Sequence, residues 1–138
     1  MYEVCAMKGK EYQISQAEWQ VMKVLWECPG LTAAQISSKV SKENNWSDGT
    51  TRTYLRRLID KGVLRYEQDK KDSRIYYYFP VISEQEALEQ ESRSFLSRIV
   101  KGRAGIVLAS LVKNSDLTGE EIKELEEILR QRRRDKNE

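Results

Sequence analysis

Gly49, Arg52, Thr53 and Arg56 fall on one side of a helical wheel drawn from Ser47 to Gly62, with Arg57 at its edge. These residue types can read duplex DNA. Arginine can bond guanine bidentately, threonine can bond a base edge or touch a thymine methyl, and glycine lets the backbone come close. Ser47 and Thr50, at the start of the same stretch, complete the candidate DNA-binding set on this element. The same pattern also fits a solvated helix face that happens to carry arginine. This helix alone does not separate the two readings.

A second group lies further on. Lys70 and Lys71 sit in Asp69-Lys-Lys-Asp-Ser73, followed at once by Arg74, and are placed to touch phosphate or a minor groove. A charged, solvated turn is the alternative for any one of them. With Arg52 and Arg56 they make an electrostatic track. Residues 1–80 carry 13 Lys and Arg against 10 Asp and Glu, whereas residues 81–138 carry 11 against 12. Residues 47–74 alone hold 8 basic and 5 acidic groups, so the whole N-terminal excess lies in this helix and turn. Phosphate binding needs such a local patch more than a large net charge.

Both groups need a scaffold, and the surrounding residues supply one. Ser15-Gln-Ala-Glu18 is a capping box opening a helix whose apolar residues are Trp19, Val21, Met22, Leu25 and Trp26. Cys28-Pro-Gly30 stops it. Thr32-Ala-Ala-Gln35 is a second capping box, with Ala34, Ile36 and Val40 inward and Lys42-Glu-Asn-Asn45 as the polar link onward. Ser47 is then an N-cap, Thr51, Tyr54, Leu55, Leu58 and Ile59 form the buried face, and Gly62 terminates the helix. Strands are expected from Leu64 to Gln68 and from Arg74 to Phe79. Leu64, Tyr66, Ile75, Tyr77 and Phe79 are assigned to the core face, and Arg65, Arg74, Tyr76 and Tyr78 to the other. Three helices followed by a hairpin make a winged helix-turn-helix.

After Pro80 the character changes. Ser83-Glu-Gln-Glu86 is a third capping box, opening a helix with Ala87, Leu88, Phe95, Leu96, Ile99 and Val100 on one side. Gly102 and Gly105 interrupt it before the apolar run Ile106, Val107, Leu108, Leu111, Val112. Thr118-Gly-Glu-Glu121 is a fourth box, leading to Ile122, Leu125, Ile128 and Leu129. Three short amphipathic helices in so few residues need a partner surface, and a second copy of the chain is the economical one. Packing back on the N-terminal domain is the alternative. Arg130-Gln-Arg-Arg-Arg134 reads as a solvated helix end favoured by the dipole.

Composition narrows the function. The chain has no histidine, which removes Ser-His-Asp and Cys-His catalysis, histidine zinc sites and a histidine pH switch. No phosphate-binding glycine loop appears, so an enzyme is not expected. Cys5 and Cys28 are the only cysteines, and their spacing is not that of metal ligands; reduced thiols are expected, with a redox or intermolecular role at Cys5 as the alternative. No apolar run approaches a membrane span, and Met1 to Gln13 lacks a signal-peptide pattern. A cytoplasmic protein with no cofactor, no metal and no direct membrane insertion is the expectation.

At this point the sequence resembles the penicillinase-repressor family (the BlaI/MecI/CopY type) from Ile14 to about Leu129. The carriers are Ile14-Ser-Gln-Ala-Glu-Trp-Gln-Val-Met22 with Trp26, Trp46-Ser47, Thr50-Thr-Arg-Thr53, Arg57-Leu58 and Lys61-Gly62. Tyr76-Tyr-Tyr-Phe-Pro80, Phe95-Leu96 and Leu117-Thr-Gly-Glu-Glu-Ile-Lys-Glu-Leu125 follow. The resemblance implies a homodimeric repressor that binds palindromic operators through the winged helix and dimerises through C-terminal helices. It also implies release by proteolysis in the dimerisation domain, signalled by a membrane sensor protease. The family's scissile pair is typically Asn-Phe; by spacing to Lys113-Asn114, Ser110-Leu111 stands there in this chain. The Cys-x-Cys pairs of copper-responsive members are absent beyond Cys28.

The expected architecture is mainly α with a small β wing: an N-terminal extension over 1–13, a winged helix over 14–82 and a helical dimerisation domain over 83–138. Leu88, Phe95, Leu96, Ile99, Leu108, Leu111, Ile122, Leu125 and Leu129 are the expected dimerisation residues. The expected function is a repressor of β-lactam-resistance-type genes on a double-stranded DNA operator. Two alternatives remain: the same architecture answering oxidation or a small ligand, and a helical adaptor that binds protein instead of DNA.

Overall fold

Each helix of the winged unit begins where a side chain can satisfy its orphan backbone donors. The computed structural model describes residues 13–100 and 102–137, apart from the side chains at 99 and 100. Helix α1 spans Gln16–Glu27, with Ser15 Oγ accepting from the Glu18 N–H and the Glu18 carboxylate accepting from the Ser15 N–H. Strand β1 is the dipeptide Leu31–Thr32 and leads into α2, Ala33–Asn44, through the Thr32/Gln35 capping box. Helix α3, Asp48–Asp60, is capped by Ser47 and ends at Lys61, with Gly62 beyond it at φ +81°.

The hairpin follows as β2, Leu64–Gln68, and β3, Tyr76–Pro80, and the three antiparallel strands take the order β1-β3-β2. The core gathers the buried faces of these elements. Val21, Met22 and Leu25 of α1 meet Ile36 and Val40 of α2, Leu55 and Leu58 of α3, and Val63 and Leu64 at the start of the wing. Trp26 Nε1 donates to the Ile82 carbonyl at 2.9 Å, which ties α1 to the segment leaving the sheet.

Four local expectations need correction. Ala34 is exposed; Ser37 takes the inward place beside Ile36, where its hydroxyl bonds Asp48 and lies near Thr51 of α3. Lys42 to Asn44 form the last turn of α2, and only Asn45 leaves it, in the left-handed region at φ 56°. Strand β3 begins at Tyr76, because Asp72, Ser73, Arg74 and Ile75 belong to the tip. The faces of β3 are also exchanged. Tyr66 lies opposite Tyr78 and Arg65 opposite Phe79, so Tyr66, Tyr76 and Tyr78 share one face while Tyr77 and Phe79 share the other with Arg65. Alternation gives the face within each strand, but the register of the pair decides which faces coincide.

Helix α4, Glu84–Phe95, starts at the Ser83/Glu86 capping box and buries Ala87 beside Ile82 in the winged-helix core. A π-helical stretch follows directly over Leu96–Val100. The chain divides into two compact units between Ser94 and Phe95. In the second unit α5 spans Ala104–Asn114 and α6 spans Gly119–Asn137, the latter opened by the Thr118/Glu121 box. Gly105 lies inside α5, not at a break, and α6 is 19 residues long, not short. Among the described residues no helix is long and apolar enough to cross a membrane.

Candidate nucleic-acid interface

A polar seam fixes the angle between α2 and α3. Ser37 Oγ donates to Asp48 Oδ1 at 2.5 Å, and Thr51 Oγ1 lies 3.4 Å from both Ser37 Oγ and the Ser47 carbonyl. Ser37 and Thr51 are buried, so the seam meets the requirement that buried hydroxyls find partners. It also orients the outer face of α3, where Gly49, Arg52, Thr53 and Arg56 are exposed. A Cβ on Gly49 would come no nearer than 3.8 Å to Ser47 Oγ, leaving that end of the helix open to a close partner.

The hydroxyls on this face are already oriented. Thr53 Oγ1 donates to the Gly49 carbonyl at 3.0 Å, and Thr50 Oγ1 lies 3.0 Å from Ser47 Oγ. Arg57 differs from Arg52 and Arg56, since its guanidinium lies over the Tyr54 ring at 5.7 Å, and Tyr54 in turn packs on Trp46.

Arg52, Arg56 and Arg74 line one groove of about 590 Å³ between α3, the N-terminal end of α2 and the wing. Tyr66, Ile75, Tyr76 and Tyr78 form its wing side, and no carboxylate lines it. Tyr66 packs edge-on against Tyr76 with centroids 4.8 Å apart, so the tyrosines make a continuous wall. Burial raises the Tyr78 hydroxyl above its ordinary pKa despite the opposing charge of Arg52, so it stays a neutral hydrogen-bonding group. The sequence reading placed Tyr66 in the core and missed it here. The signal that could have found it is the strand register, which pairs Tyr66 with Tyr78.

The wing tip is built around two aspartates. Asp69 accepts from the Tyr77 hydroxyl at 2.7 Å and from the N–H groups of Asp72 and Lys71 at 2.9 and 3.0 Å. The Tyr77 bond foremost, with the two amides, holds its carboxyl below the usual range. Asp72 accepts from Arg74 Nε, Nη2 and backbone N–H, at 3.0, 3.1 and 3.0 Å. Lys70 and Lys71 are exposed at the turn and do not line the groove. On the far face Arg65 lies over Phe79 at 4.5 Å and pairs with Glu67.

The family model for the penicillinase repressor matches residues 14–131. The chain belongs to the penicillinase-repressor family. It is a winged-helix DNA-binding repressor. It is similar to the penicillinase repressor of Bacillus licheniformis, with 38% identity over 91% of this chain and 96% of that protein. It is 33% identical to the methicillin resistance regulatory protein MecI of Mammaliicoccus sciuri, over 89% of this chain and 98% of that protein. A solution structure of the Bacillus licheniformis BlaI monomeric form in complex with the blaP half-operator is 38% identical, covering 56% of this chain and 90% of that one at a TM-score of 0.48.

Of the expected dimerisation residues, Leu96, Leu108, Leu111, Ile122, Leu125 and Leu129 are exposed in the repressor's second unit and Phe95 is partly buried. Leu88 is exposed on α4 in the first unit. The side chain of Ile99, like Cys5 and residues 1–12, lies outside the described residues. Cys28 is a free, exposed thiol at the end of α1.

Proposed function

We propose that the repressor occupies palindromic operators of β-lactam-resistance-type genes as a homodimer, with α3 reading bases and the wing tip meeting phosphates. The names carried by the two relatives support the gene class. One observation carries the readout: Arg52 and Arg56 project from α3 into a groove that contains arginines and tyrosines but no acidic side chain. In this reading Arg52, Thr53 and Arg56 face base edges, and Lys70, Lys71 and Arg74 meet the backbone.

Dimerisation rests on the second unit. Apolar side chains of α5 and α6, among them Ile106, Leu108, Leu111, Ile122 and Leu129, stand exposed on a single chain. Apolar side chains left exposed in this number call for a covering surface, and a second copy of the chain supplies one economically. Cleavage at Ser110-Leu111, answering a membrane sensor protease, is the proposed release. The pair lies within α5, where the Ser110 carbonyl accepts from Asn114 Nδ2 at 2.8 Å and the Leu111 carbonyl from Ser115 Oγ at 2.5 Å. A protease would therefore have to unwind α5 before cutting it.

The test selects a binding duplex from a random DNA pool and compares it with unselected DNA. Arg56→Ala is expected to cost about 1–3 kcal/mol on the selected duplex and much less on unselected DNA. Equal losses on the two DNAs would assign Arg56 to the backbone and remove it as a reader.

A further inference from the structure

The Arg74 guanidinium already lies in a two-bond fork with Asp72, and a DNA phosphate would offer the same geometry. The side chain of Arg74 is 88% exposed and that of Asp72 34%, so this pair is held in water at the tip. Its carboxyl is kept below the usual range by Arg74 first and by the Arg74 amide second. The surrounding backbone is fixed by Asp69, whose three bonds close the turn and present Asp72 to Arg74. The pair is thus prearranged, not a chance encounter of two mobile side chains.

An exposed ion pair of this kind is weak, because solvent screens it and its entropy is costly. A phosphate within a strand carries the charge of its neighbours as well, so it competes well for the same fork. Once it does, Asp72 is left beside the phosphate as a like charge. We propose that Asp72 is an internal stand-in for phosphate: it clasps Arg74 in the free repressor, yields it to DNA, and so holds affinity below what the tip cations would otherwise give. The proposal rests on the reading that the wing tip meets the backbone. It makes Asp72 a tuning residue that lowers retention on DNA of any sequence.

The experiment uses the full-length chain and a random-sequence duplex three helical turns long, with fluorescence anisotropy across a salt titration. Asp72→Asn keeps the shape and an acceptor for the Arg74 amide. It is expected to bind roughly threefold to fivefold more tightly at low salt, with a salt slope steeper by about one unit. Arg74→Gln is expected to bind more weakly, and Asp72→Asn added to Arg74→Gln should recover less than half of the gain, in logarithmic terms, that it gives alone. An unchanged or weaker Asp72→Asn, with an unchanged melting temperature, overturns the clasp, since Asp72 would then be holding Arg74 in its productive pose. An undiminished gain in the Arg74→Gln background also overturns it, because Asp72 would act as a bare charge. Tight wild-type binding with no effect of Arg74→Gln removes the tip arginine from the interface. Failure of the wild type to bind any duplex would instead strike the DNA-binding reading itself.

Discussion

Glu18 shows how one buried side chain can fix the position of α3. Its side chain is 2% exposed, and Lys61 Nζ donates to both its carboxylate and the Gln13 carbonyl. Lys61 is the C-cap of α3, so the first turn of α1 is pinned to the last turn of α3. Burial pushes the Glu18 pKa up, but Lys61 and the Ser15 N–H and hydroxyl outweigh it and leave the group below its ordinary value. The unfolded chain therefore takes up this proton first as pH falls. The contribution is complete above the ordinary glutamate range near pH 4.3, and is lost as pH drops through the lower folded value. Removing one partner of a fully buried pair costs about 3–5 kcal/mol. Lys61 is 30% exposed and can rehydrate, so Glu18→Gln is expected to cost less, about 1–3 kcal/mol. Urea unfolding from pH 7 to pH 3 checks this, and the acid limb of stability should flatten in the variant. An unchanged acid limb would show that Glu18 is not the group responsible.

At the scale of elements, the capping boxes made most of the helix starts legible, because each depends on two residues three apart and nothing distant. Ser15/Glu18, Thr32/Gln35, Ser83/Glu86 and Thr118/Glu121 all close as the sequence implies. Both wing strands were legible as elements, but the register that pairs Tyr66 with Tyr78 was not. Tyr76-Tyr-Tyr-Phe-Pro80 is apolar on both faces, so alternation cannot choose between them. β3 is held between β2 and β1, a dipeptide that pairs Leu31 with Tyr78 and has no strand signal of its own. Gly30 makes that pairing possible. It sits at φ +87°, its N–H donates to the Tyr78 carbonyl at 2.8 Å, and an added Cβ would lie 3.2 Å from Phe79 Cε1. Gly30→Ala is expected to cost about 1–3 kcal/mol from backbone strain, with Phe79 displaced from beneath Arg65. Thermal unfolding gives the cost, and the ring resonances of Phe79 report the displacement. An unstrained variant with unmoved resonances would mean that the β1–β3 junction tolerates another path.

For the whole molecule, the second unit offers no buried side chain on α5 or α6, whereas the first encloses a full core. This contrast is why α5 and α6 were readable as elements but their packing was not: the surface that would complete them is absent from a single sequence. On α6, Ile122, Leu125 and Leu129 recur at helical spacing, while Arg130 and Arg134 pair with Glu127. On α5, Leu108, Leu111 and Val112 are each about half exposed, and a dimer interface would bury them. Two half-sites held by one dimer benefit from effective concentration, so losing the dimer should cost far more affinity than losing one phosphate contact. Leu111→Asp tests this with little risk to the fold of the chain itself, since Leu111 is 51% exposed before any partner arrives. An isolated carboxylate buried among apolar side chains is strongly disfavoured. The variant should sediment as a monomer with unchanged helix content, and bind a selected palindromic duplex as weakly as a fragment ending at Ser94. It would then mimic release without proteolysis. If it remains dimeric and binds with wild-type affinity, Leu111 lies outside the interface, and cleavage at Ser110-Leu111 loses its proposed route to release.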